Sequence, residues 1–219
     1  MKQNLFHKAV RTNGWMLFYL LVVCYAIYQF GLNNMVFTKS LIFRTYQDLL
    51  PENTIMSLLQ FREQFEWTGY LLLLLFIPLK AGYAAVCVNT GTLLAGYDVG
   101  YKQVFKTVLI GEFIFLLAAG IHIIWLTEII RPKTLQEAQG FYPLSLLTLF
   151  PVDNIPEWLY SPLTKINLFE LGYVSVITLA LQEYLRKRFM QVFPVVILSY
   201  GMGALLIIIL FMFLSLQVG

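Results

Sequence analysis

Five stretches of this sequence are each long and apolar enough to cross a bilayer, and few folds are open to such a chain. They cover about residues 14–36, 67–94, 105–130, 166–184 and 193–216, the fourth being the least hydrophobic. A span needs about 20 apolar residues, because the hydrocarbon layer is about 30 Å thick and a helix rises about 1.5 Å per residue. Lipid offers the backbone no hydrogen-bond partners, so such stretches must satisfy their own peptide groups as helices. The expected fold is therefore all-α: a polytopic transmembrane helix bundle of about five spans, one integral membrane domain over residues 1–219. Composition agrees, with 59% hydrophobic and 12% charged residues. A soluble domain carries about 25% charged residues. The net charge of +3 comes without a basic stripe or an RNA-reading aromatic motif, so no nucleic-acid partner is expected.

The basic residues set an orientation. Lys2, Lys8 and Arg11, then Lys102 and Lys106, then Arg186, Lys187 and Arg188 fall on one side, in short segments. The opposite loops, about 37–66 and 131–165, are longer and mix Lys39, Arg44, Arg62, Arg131, Lys133 and Lys165 with acids such as Asp48, Glu52, Glu63, Glu66, Glu137, Asp153 and Glu157. This predicts a cytoplasmic N-terminus and a C-terminus on the far side. The first apolar run is too long for a signal peptide core and lacks a small-residue cleavage site, so it is expected to stay as the first span.

The far-side loops have features of their own. Asn53 or Thr54 is placed to cap a short amphipathic helix over Ile55–Phe61, its apolar face on the membrane surface or on the third loop. The run Tyr142–Pro151 is apolar but too short to span, which suggests a re-entrant or interfacial segment, and Asp153–Trp158 reads as a turn. Trp15, Tyr25, Tyr28, Trp67, Tyr70, Trp125 and Trp158 fit an interfacial aromatic belt.

Polar residues inside spans are costly and call for a reason. Lys80 follows Pro78 midway along the second span, and the proline frees a backbone carbonyl one turn earlier. Helical rise places Asn89 and Glu112 at similar depth, which favours an Asn89–Glu112 hydrogen bond. The same estimate sets Lys80 level with His122 and leaves a direct Lys80–Glu112 pair to a bend or a long reach. These four residues are the candidate intramembrane polar set, either a proton relay or polar glue between helices. Ala81 and Ala85, Gly91, Gly120, Ser199 and Gly203 supply small-residue faces for close helix packing.

Cys24 and Cys87 stand alone in apolar runs and form no metal or disulfide framework. No phosphate-binding glycine loop, zinc-protease helix or nucleophile elbow is present, and His7 and His122 are too few for a two-haem cytochrome. No catalytic residue, cofactor or metal is expected.

Gly100-Tyr101-Lys102-Gln103-Val104-Phe105-Lys106-Thr107 leads into the third span, and Lys165-Ile166-Asn167-Leu168-Phe169-Glu170-Leu171-Gly172-Tyr173 opens the fourth. A short basic turn and a very apolar final helix follow. Over about residues 67–215 this layout resembles the bacterial branch of the Yip1-like membrane family. The resemblance implies five spans and a cytoplasmic N-terminus, and it carries no catalytic residues. The short segment before the first span departs from eukaryotic members, whose cytoplasmic N-terminal region is long.

The leading functional expectation is a non-catalytic membrane subunit or scaffold of a transport or envelope complex in the inner (plasma) membrane, held by lipid and by other subunits or copies of itself. The alternative is a transporter or channel component with Lys80, Glu112 and His122 as its polar pathway. An enzyme working near Asp153 and Glu157 comes third.

Overall fold

The computed structural model describes residues 7–8, 10–140, 144–149 and 155–218. Among them the secondary structure is helical, with a single isolated bridge between Ser145 and Asn167. Helix α1 covers Gly14–Gly31 and runs on into a π-turn, Leu32–Val36. Then come α2 (Lys39–Tyr46), α3 (Glu52–Leu94), α4 (Tyr101–Gly111) and α5 (Phe113–Ile124), the last continued by a second π-turn, Trp125–Ile130. The rest are α6 (Leu135–Gln139), a 3-10 turn (Leu146–Leu149), α7 (Glu157–Lys165), α8 (Leu168–Leu185) and α9 (Phe189–Val218).

Four helical segments are long and apolar enough to cross a membrane: Gly14–Val36, Glu52–Leu94, Tyr101–Ile130 and Phe189–Leu214. The expected fourth stretch does form a helix, α8, but it falls short of that measure. Its acidic residues sit near its ends, Glu170 at the start and Glu183 at the finish. Between them Tyr173, Val174, Ile177, Thr178, Ala180 and Leu181 are buried, so protein rather than lipid covers this face.

Local chemistry explains where the helices begin. Thr38 caps α2 by accepting the Leu41 N–H at 3.3 Å, and Asn167 caps α8 by accepting the Glu170 N–H at 2.9 Å. The Gln103 side chain reaches back to the Gly100 N–H at 3.0 Å and fixes the start of α4. Two sequence expectations are corrected. The amphipathic segment after Pro51 is no separate surface helix, because it runs unbroken into the second span as the 43-residue α3. No glycine or proline stands between Thr54 and Thr68 to stop it. Residues Glu157–Lys165 form α7, where a turn was expected at Trp158. Of the apolar run Tyr142–Pro151, only 144–149 is described. It is tied to the start of α8 through Leu146 N–H to Ile166 O at 2.9 Å and Leu168 N–H to Leu144 O at 3.2 Å. Asp153 lies outside the described residues.

The chain divides into two compact units. The first holds Met1–Tyr19, Pro78–Phe115 and Leu144–Gly219. The second holds Leu20–Ile77 and Leu116–Pro143, so the division within α3 falls at Pro78. In the first unit α8 is central and packs on α4 and α9. Gly111 permits the α4 approach, since a Cβ there would lie 2.9 Å from both Tyr173 and Ile177. In the second unit Leu32, Val36, Leu41, Leu126 and Ala138 form a buried cluster, and the two π-turns pack on each other. Many large side chains stay exposed along the spans, Leu71, Leu75, Phe76 and Leu79 among them, as lipid contact requires.

Candidate functional site

Lys80 stands two residues after Pro78 on α3. Its Nζ donates to Glu112 Oε2 at 2.8 Å. The Glu112 side chain is only 3% exposed, against 48% for Lys80. The ammonium also lies 3.7 Å from the centre of the Phe115 ring and 5.9 Å from that of Tyr173. A carboxylate on one side and aromatic faces on the other hold a cation well in a dry site.

The third span begins at Tyr101, four residues before the expected start at Phe105, which raises Glu112 by about 6 Å toward the level of Lys80. It breaks at Glu112 between α4 and α5, where Phe115 N–H bonds back to Glu112 O at 3.1 Å in an i→i+3 step. That tighter turn adds only about 0.5 Å per residue to the rise. The expected Asn89–Glu112 bond does not form, and Asn89 Oδ1 is buried without a hydrogen-bond partner among the described residues. The candidate His122 lies in a different compact unit from Lys80. It belongs to the second unit, where its Nδ1 lies 3.1 Å from Tyr28 Oη.

Three residues join the site that the sequence did not single out. Tyr200 on α9 donates to Glu170 Oε2 at 2.6 Å, and its ring lies 5.1 Å from that of Tyr173. Tyr173 packs in turn on Phe115 at 4.9 Å. Lys80, Glu112, Tyr173, Tyr200 and Glu170 thus form a connected polar and aromatic line drawn from α3, α4, α8 and α9. Tyr173 Oη is buried and makes no hydrogen bond of good geometry among the described residues. Glu170 sits three residues after the cap Asn167, where an acid is ordinarily explained by the helix start alone. That local explanation hides its long-range bond to Tyr200.

This line borders a cavity of about 730 Å³. Lys80, Glu170, Tyr173 and Tyr200 supply polar lining, and Lys165 and Asn167 add more. The rest is largely apolar, with Ile166, Leu168, Val174, Ile197, Ala204 and Ile208 among the walls. Gly201 also lines it, and a Cβ built there meets nothing within 4 Å.

The small residues fall into different places. Ala81 and Ala85 are fully buried on α3. A Cβ on Gly91 would lie 2.3 Å from Ser199 Cβ, and one on Gly203 would lie 2.4 Å from Cys87 Sγ. These positions bring α3 and α9 together within the first unit, and Tyr83 Oη seals the contact by donating to Gly203 O at 2.8 Å. Gly120 is different, since a Cβ there meets nothing within 4 Å. Among the described residues no group of three His, Cys, Asp or Glu side chains is arranged to hold a metal ion. No family model, characterised protein or solved structure matches the chain.

Proposed function

We propose that this chain is a non-catalytic integral membrane protein that holds an amphipathic small molecule in the cavity of its first unit, as a transporter or channel component of the inner (plasma) membrane. One observation carries this reading: an apolar cavity of about 730 Å³ meets a paired lysine and glutamate and a buried tyrosine hydroxyl that lacks a bond. Ligand sites commonly measure about 300–1,000 Å³ and set a few polar groups in apolar walls. The apolar walls suit a hydrocarbon body, and Tyr173, Tyr200 and Lys80 suit a polar end. A polar pathway on this reading runs through Lys80, Glu112, Tyr173, Tyr200 and Glu170, and leaves out His122.

Gly201→Phe tests it. The new ring enters space that is open in the native protein. Organic extracts of the purified protein, analysed by mass spectrometry, should contain a stoichiometric amphipathic molecule that the variant lacks, while helix content stays unchanged. Identical extracts from both proteins would defeat the proposal.

The topology proposed with it is that of the Yip1-like resemblance: five spans with α8 as the fourth, and a cytoplasmic N-terminus. The alternation of basic and mixed loops supports that order.

A subunit or scaffold role is a second reading, favoured by α5. None of its residues is buried, and Ala118-Ala119-Gly120 lies in its middle. Such a surface suits a partner helix. Affinity purification from native membranes in mild detergent should then recover a stoichiometric partner that Gly120→Leu releases. A strictly monomeric protein would end this second reading and leave the cavity proposal standing.

A further inference from the structure

The second unit holds a different polar site, independent of the cavity above. A cleft of about 300 Å³ is lined by Met35, Val36, Thr38, Ser40, Arg44, Arg131 and neighbouring residues, with two arginines and no acid. Two neighbouring loop cations are already engaged. Arg62 donates to Phe37 O at 2.6 Å, and Lys39 pairs with Glu63. Arg44 has neither an ion pair nor a hydrogen bond among the described residues. Arg131 has only Glu128, at 3.9 Å with both side chains exposed, a pair of little worth.

Hydroxyl chemistry adds a donor. Thr38 Oγ1 and Ser40 Oγ lie 3.0 Å apart, and either can donate to the other. One proton serves that bond, so the second hydroxyl proton is left for a ligand.

The backbone at Arg131 supplies a control for the test. Arg131 ends the second π-turn with φ 50 and ψ 66, a left-handed conformation in which glycine is the ordinary residue. Arg186 closes α8 in the same helix-end conformation, so the backbone at Arg131 marks where glycine would fit rather than adding to the site.

Depth identifies the ligand. Met35 and Val36 are the last residues of the candidate span Gly14–Val36, and Arg131 directly follows Ile130, the last of Tyr101–Ile130. The two span ends meet through their π-turns. A cleft at the ends of two spans lies at headgroup level. Guanidinium groups match phosphate through paired N–H donors. We propose that Arg44, Arg131 and the Thr38–Ser40 hydroxyl pair bind the phosphate of an anionic membrane lipid.

The test uses the full chain in mild detergent. Native mass spectrometry counts phosphatidylglycerol and phosphatidylcholine retained by the wild type, by Arg131→Gly, by Arg44→Gln and by Lys133→Gln, a nearby cation that does not line the cleft. The expected result is one retained phosphatidylglycerol, not matched by phosphatidylcholine. Arg131→Gly and Arg44→Gln should each weaken it at least about tenfold, as loss of a charge-assisted bond implies. Lys133→Gln should leave it in place. Because glycine suits the left-handed backbone, Arg131→Gly should keep or raise the melting temperature, which separates loss of the site from loss of the fold. Equal retention of both lipids, or equal weakening by Lys133→Gln, overturns the proposal. A thermal shift with inorganic phosphate that needs Arg131, without selective lipid retention, overturns the lipid and assigns the same site to a soluble phosphate.

Discussion

Lys80 and Glu112 set the energetics of the cavity at the scale of single residues. Removing one member of a buried pair leaves the other charge without a partner and typically costs about 3–5 kcal/mol. Lys80→Met strands a carboxylate that is 3% exposed, and Glu112→Gln strands an ammonium midway along a candidate span, where exposed surface meets lipid or the cavity. Each should therefore destabilise, by about 3 kcal/mol or above. The double variant should cost less than the sum, with a coupling of about 1–3 kcal/mol in thermal or denaturant unfolding. Strict additivity would show that the contact contributes nothing. The pair was only half legible in the sequence. Lys80 and Glu112 stood out as intramembrane charges, but a third span taken to start at Phe105 rather than Tyr101 set them at different depths. Tyr173 and Tyr200 resembled ordinary span aromatics. Only the contact between α8 and α9 reveals their role. Tyr200→Phe, which removes the 2.6 Å bond to Glu170 but keeps the ring, should leave packing intact and weaken retention of the cavity's molecule.

Among the helices, α8 shows why hydropathy and burial disagree. A helix covered by protein can carry polar ends that a lipid-facing helix could not, so the least apolar stretch is the best packed. Ile177, fully buried at its centre, should cost about 2–5 kcal/mol when replaced by alanine. An exposed leucine such as Leu198 on α9, 68% exposed in the protein and free to face lipid, should cost far less. Equal losses in a thermal shift series would contradict the central place of α8. Gly91→Leu should be worse tolerated than Gly201→Leu, because the first meets Ser199 at 2.3 Å and the second meets open space. The existence of the apolar helices was plain in the sequence, since their length and hydropathy are local properties. Their irregularities were not. The π-turns after Gly31 and Ile124 and the break at Glu112 depend on packing partners that no local pattern names.

For the whole molecule, topology and ligand are linked. Five spans place the termini on opposite sides of the membrane, and four place them on the same side. Reporter fusions at each end should report a cytoplasmic N-terminus and a far-side C-terminus. Matching signals would remove α8 from the spans. The most direct measurement concerns the cavity itself. A lipid analogue with a diazirine in its chain, irradiated with the protein in native-like bilayers, labels whatever its chain touches. On α9, Ile197, Ala204 and Ile208 line the cavity, while Leu198, Met202 and Leu206 are more than 60% exposed on the outside. Bulk lipid should label the outer three in every variant. An occupied cavity adds adducts on the inner three, and Gly201→Phe should remove those alone. Labelling confined to the outer residues, or inner adducts that survive Gly201→Phe, would contradict a ligand held in the first unit.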